Sequence, residues 1–170
     1  MSERAVEFYR KENGRIPVEE FLDELPMKHR EKAIRSLMLL EEFGELLGEP
    51  YIKYMGDDIF ELRIWIRRRN IKKTIKGGWK MSDLSAYIKK QLDNPEFRDL
   101  YEKSEGEYQV AREIIKARIE RQMTQKELSE KTGIRQSNIS RIENGNCSPT
   151  VETLEKIAEG LGKKLEIRFV

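Results

Sequence analysis

The sequence predicts an α+β chain: a helical hairpin with a short antiparallel sheet, then an all-α five-helix domain that ends in a short strand. Three observations carry that prediction. Apolar residues recur at helical spacing between Pro17 and Phe43. They alternate with period two between Tyr51 and Ile66. Helical spacing then returns from Leu84 to Leu161, with turn residues separating the segments.

The elements follow in order. Ala5 to Arg10 alternates apolar and polar before the turn pair Asn13-Gly14, which predicts a first strand. Pro17 suits the first turn of a helix carrying Val18, Phe21, Leu22 and Leu25, interrupted by Pro26. A longer helix carries Ala33, Ile34, Leu37, Met38 and Leu40 toward Phe43 and stops near Gly44 or Gly48. Residues 51–54 and 59–66 flank Gly56-Asp57-Asp58 and read as a hairpin, with Phe60, Leu62, Ile64 and Ile66 on one face of its second strand. From Arg63 to Lys80 eight basic residues follow without an acid, which reads as a solvated linker or a nucleic-acid contact. Gly77-Gly78 marks the domain boundary, giving 1–66 as the first domain and 67–80 as a basic linker or remnant.

Residues 81–105 supply two helices, one capped by Ser82 and a short one opened by Pro95. From 106 to 170 a five-helix domain is predicted. Its first helix runs from about Gly106 to Arg121, and its last runs from Pro149 to Leu161. Leu165 to Phe169 alternates like a strand. Between these, Thr124 and Glu127 form a capping box, and Gly133 separates two short helical patterns. The second pattern exposes Gln136, Ser137, Asn138 and Arg141. This is the build of a helix-turn-helix, whose second helix enters the major groove. Gln and Asn can pair bidentately with adenine, and Arg with guanine, so Gln136, Ser137, Asn138 and Arg141 are the candidate base contacts. Gln125, Lys126, Arg135 and Asn144 are the candidate phosphate contacts.

Composition limits the alternatives. The 38% hydrophobic content allows packed cores, while 38% charge at a net +2 implies a solvated surface with local asymmetry. The single Cys147 excludes an internal disulfide, and the lone His29 lies among charged residues, where a surface role outweighs a ligand role. No metal or cofactor is implied. No signal peptide or membrane span is expected, and the chain reads as cytoplasmic.

Residues 107–163 resemble the repressor-type helix-turn-helix family, the XRE or Cro/C1 family. The match is carried by Thr124-Gln125-Lys126-Glu127-Leu128-Ser129, Gly133-Ile134, Ile139-Ser140-Arg141-Ile142-Glu143-Asn144-Gly145 and Ser148-Pro149-Thr150. Arg135 departs from it, standing where such proteins often place a Ser or Thr cap. With residues 81–105 added, the second half is similar to a HigA-type antitoxin, which implies a dimer that represses its own operon. The first half has its own resemblance, carried by Val6 to Tyr9, Asn13-Gly14, Pro17 to Leu22, Leu39 to Gly44, Gly48 to Tyr51 and Phe60 to Ile64. These look like the start of a HigB toxin of the RelE superfamily, which implies ribosome-dependent cleavage of mRNA. In that family the sheet continues through two more strands. Here Ile66 passes directly to the basic run, so that only Lys72-Lys73-Thr74 matches further. The expectation is a truncated sheet whose strand 59–66 is an edge, covered by residues 165–169 or by a second chain.

Metal-independent RNA cleavage needs a group to activate the 2′-hydroxyl, a cation and a donor to the leaving oxygen. Arg63, Lys72 and Lys73 are weak candidates for the cation, with no histidine or tyrosine beside them to act as acid or base. Arg63 as a surface strand residue paired with Glu61 is the preferred expectation, and an enzyme is not expected. Three readings therefore compete: a fused toxin–antitoxin autorepressor with a degenerate toxin half, an endonuclease inhibited in cis, and a simple repressor. The partners expected are double-stranded operator DNA, a second copy of the chain and a toxin–antitoxin contact within or between chains. The ribosome enters under the second reading alone, and no membrane partner is expected.

Overall fold

A computed structural model describes residues 8, 10–56, 59–66, 69–76 and 83–168. The order is α1 (Pro17–Glu24), α2 (Met27–Phe43), a 3₁₀ turn (Gly44–Leu47), β1 (Ile52–Gly56), β2 (Ile59–Ile66), β3 (Arg69–Lys76), α3 (Asp83–Leu92), α4 (Pro95–Glu120), α5 (Gln125–Thr132), α6 (Gln136–Glu143) and α7 (Val151–Gly160). The class is α+β, and the chain divides into two compact units, 1–105 and 106–170.

In the first unit, Pro17 opens α1, and the buried Val18 and Leu22 lie four residues apart on one face. α2 buries Ala33, Ile34, Leu37, Leu40 and Phe43, and it packs against β2. It stops at Gly44, whose φ of 55° only glycine adopts freely. The sheet has the order β1-β2-β3, antiparallel throughout. Register places Phe60 opposite Ile75, Leu62 opposite Lys73 and Ile64 opposite Ile71. The even positions of β2 therefore share a mainly apolar face with their neighbours.

Three expectations are corrected in this unit. Of the two expectations for the basic run, a linker or a remnant of the first domain, the linker is not met: residues 69–76 form β3, paired along the whole of β2. Ile71 and Ile75, four residues apart with Lys73 between them, fall at register positions on one face of the strand, too sparse a pattern to stand out from the surrounding charge. In consequence β2 is the central strand, and neither residues 165–169 nor a second chain is needed to cover it. Finally, the compact unit does not end at Gly77-Gly78 but at Glu105, because α3 and the start of α4 pack with α1 and α2, burying Leu84, Tyr87 and Phe97. The expected strand at 5–10 lies outside the described residues except for Phe8 and Arg10. The buried Phe8 ring meets Tyr87 edge-on at 6.2 Å.

A further correction concerns α4. The short helix opened by Pro95 and the helix expected from Gly106 are one element of 26 residues. Asn94 accepts from the amides of Glu96 and Phe97 and caps it.

The second unit is all helix. Ile114, Leu128, Ile139, Ile142, Ile157 and Leu161 form its core, with Val110, Ala117, Met123, Ile134, Cys147 and Leu154 packed around them. The predicted capping box is present: the Glu127 amide donates to Thr124 Oγ1 at 3.2 Å, and the Thr124 amide donates to Glu127 Oε2 at 2.7 Å. The expected C-terminal strand is not formed over 163–168, where Ile167 and Arg168 are exposed; Phe169 lies outside the described residues.

Candidate nucleic-acid interface

The turn between α5 and α6 is set by Gly133, which takes φ 69° and closes α5 with its amide on Ser129 O at 2.9 Å. Arg135 then occupies the N-cap of α6 without a side-chain cap, as its departure from Ser or Thr implies. Its guanidinium is exposed and free of that local role.

On α6 the division of faces is clean. Ile139, Ile142 and Glu143 are buried, whereas Gln136, Ser137, Asn138 and Arg141 are exposed. Arg141 follows Ser137 by four residues and Asn138 by three, so these three side chains share one surface stripe. Gln136, in the first turn of α6, is exposed as well, so all four candidate base contacts are open to solvent.

The candidate phosphate contacts divide. Lys126 is exposed at the start of α5, within 3.9 Å of Glu130, a surface pair that solvent screens heavily. Asn144 is half-buried and turns its amide back to Ser140 O at 2.6 Å, closing the end of α6. Gln125 departs from the expected role: it is buried, and its side-chain amide donates inward to Glu143 Oε2 at 2.8 Å.

That contact belongs to a buried cluster. Glu143 is 1% exposed and Arg118 5%. Arg118 Nε donates to Glu143 Oε1 at 2.9 Å, and Nη2 donates to Oε2 at 3.2 Å, a two-pronged pairing. Arg118 Nη1 reaches Met123 O at 2.9 Å. A carboxylate this far from water needs several donors, and Gln125 supplies the third. The cluster ties α4, α5 and the loop between them to the last turn of α6, fixing the angle at which α6 is offered. Sequence reasoning passed over Arg118 and Glu143 as functional residues. The signal was present: Glu143 directly follows Ile142 on the inward face, and Arg118 continues the stripe of Ile114 and Ile115.

In the first unit, Arg63 lies on β2 and donates from Nε to Glu61 Oε1 at 3.0 Å, with Glu49 at 3.6 Å. The expected Arg63–Glu61 pairing is thus formed. Lys72 stands opposite Arg63 in the ladder, on the same face, and Lys73 stands opposite Leu62 on the other. Register thus brings Arg63 and Lys72 together and separates Lys73 from them. Among the described residues no group of three or more His, Cys, Asp or Glu could hold a metal ion. No described helix is long and apolar enough to cross a membrane.

Comparison with known proteins agrees with this division. Residues 114–167 match the helix-turn-helix family, and residues 20–73 match the phage-derived Gp49-like proteins. Over 58 residues, 34% of the chain, the sequence is 40% identical to an uncharacterized HTH-type transcriptional regulator of Haemophilus influenzae. The match spans 59% of that relative's length. No solved structure matches the chain.

Proposed function

We propose that the chain is a sequence-specific DNA-binding regulator of toxin–antitoxin type: a fused polypeptide whose second half reads the operator of its own gene as a homodimer. The observation that carries this reading is the exposed set Gln136, Ser137, Asn138 and Arg141 on a helix held from behind by Arg118 and Glu143. The helix-turn-helix match over residues 114–167 and the similarity to an HTH-type regulator support it, and the Gp49-like match in residues 20–73 supports the toxin-derived origin of the other half.

A gel shift on DNA upstream of the gene tests it. Arg141→Ala should remove about 1–3 kcal/mol of base discrimination, whereas Lys126→Ala should weaken all sequences alike and lower the salt slope by about one. Unchanged affinity and preference in Arg141→Ala would sink the assignment of α6 as the reading helix.

A second reading, an RNA endonuclease restrained in cis, gains from β3, which supplies a strand that the bare sequence lacked and sets Lys72 beside Arg63. Against it, Glu61 is the one carboxylate at that face's register positions on β2 and β3, and it is paired with Arg63. We infer that the first half is not an active nuclease. Expression of residues 1–80, without the segment 81–105 that belongs to the antitoxin resemblance, should leave growth and transcripts intact; arrest with cut messages would establish the second reading instead.

A further inference from the structure

α6 offers Ser137, Asn138 and Arg141 to solvent on one stripe, and the chemistry of their head groups differs. Among the described residues, neither Asn138 nor Arg141 commits its side chain to a hydrogen bond or ion pair within the fold. Asn144, at the end of the same helix, shows the alternative, with its amide bound back to Ser140 O at 2.6 Å. Asn138 therefore keeps both its acceptor and its donors, and Arg141 keeps its fork of N–H groups.

Spacing sets what those two groups can meet together. Three residues along a helix advance about 4.5 Å, and one base step advances about 3.4 Å. With α6 along the major groove, the two head groups fall one or two base steps apart. Gln136 precedes Asn138 by two residues and so lies off their stripe. Ser137 lies on it, but a hydroxyl serves base edges as donor or acceptor and discriminates little. A carboxamide matches the adenine edge, donating to N7 and accepting from N6, while a guanidinium matches guanine O6 and N7.

We propose that Asn138 and Arg141 together read one adenine and one guanine, one or two base pairs apart, and that a methyl group on that adenine's N6 blocks binding. The proposal rests on the DNA-binding reading and adds to it what the half-site must contain. A paired adenine gives one N6 hydrogen to its thymine and shows the other in the major groove beside N7. While the pair is kept, a methyl on N6 has to replace the groove-facing hydrogen. Asn138 Oδ1 then loses its donor and meets a carbon, which leaves a polar group unpaired in a closed interface. The helix is thereby a sensor of adenine methylation as well as of sequence.

The test enriches duplexes from a random library with the full chain. Gel shifts then compare the enriched half-site with its adenine plain and N6-methylated. Enriched half-sites should hold an adenine and a guanine at that spacing. Methylation of that adenine should weaken binding by roughly tenfold or more. Asn138→Ala should bind both forms alike and keep the guanine preference. Arg141→Ala should lose the guanine preference and keep the response to methylation, and Lys126→Ala should leave that response unaltered. Half-sites without the pair, equal binding of the two DNAs by the unmutated chain, or a methylation response that survives in Asn138→Ala would each overturn the proposal alone. A library with no enriched sequence would sink the DNA-binding reading itself, so the two failures are distinguishable.

Discussion

Glu143 has almost no access to water, yet it sits on the helix whose other side carries Asn138 and Arg141. Its carboxylate is held by Arg118 and Gln125, so removing one partner strands a charge rather than deleting a weak contact. Glu143→Ala should cost about 3–5 kcal/mol in urea unfolding, and the pairing Arg118→Met with Glu143→Leu should recover much of that loss. Should the single variant unfold like the parent protein, the cluster would not be what fixes α6. Glu127 makes a second residue-scale case with the opposite exposure. Bonds from the backbone and hydroxyl of Thr124 hold its carboxyl below the usual glutamate range. A lowered folded value means the contribution is present above that range and lost as pH falls through it. The stability difference between the parent protein and Glu127→Ala should therefore be constant near neutrality and shrink on acidification below the glutamate range. A difference that grew on acidification would contradict this.

At the scale of elements, two helical glycines should respond in opposite directions. Gly106 lies within α4, and a Cβ there would meet nothing within 4 Å. Gly106→Ala should therefore stabilise by about 0.5–1 kcal/mol through helix propensity alone. At Gly160, the last residue of α7, a Cβ would press into Thr132 Cγ2. Thr132 cannot rotate away cheaply, because its hydroxyl donates to Leu128 O at 2.7 Å. Gly160→Ala should cost about 1–3 kcal/mol by forcing α5 and α7 apart. Thermal melts of the two variants decide both, and a shift of the same sign in both would refute the contrast. These glycines also show what the sequence could reveal. Thr124, Glu127 and Gly133 announce α5 and its turn because caps and positive φ are local chemistry. Gly106 looks like a helix end because a lone glycine is a breaker by propensity, whereas the helix continues on both sides of it. β3 was hidden for a related reason: Ile71 and Ile75 are the two apolar residues in a run of cations, too few to mark a strand by pattern, and pairing with β2 sets their register. The outward face of α6 was legible in full. The inward Gln125 was not, since burial depends on Glu143 eighteen residues away.

For the whole molecule, the proposed function raises the question of how one small helix would yield an operator-specific complex. α6 has eight residues and presents four exposed candidate base contacts, enough under the proposed reading for a few base pairs. The net charge of +2 gives little long-range attraction to a phosphate backbone, so affinity has to come from local contacts. Two copies on one duplex, as proposed, would double those contacts and place two α6 helices in successive major grooves. The operator should then be a near-palindrome with half-sites about 34–36 Å apart, one helical turn. Footprinting should show two protected blocks at that spacing, and sedimentation of the complex should give two chains per site. Its apparent affinity should fall with salt more steeply than that of a single half-site, because twice as many phosphates are neutralised. A single asymmetric block bound by one chain at full affinity would exclude the two-copy arrangement. It would leave Arg141 and its neighbours to account for specificity alone.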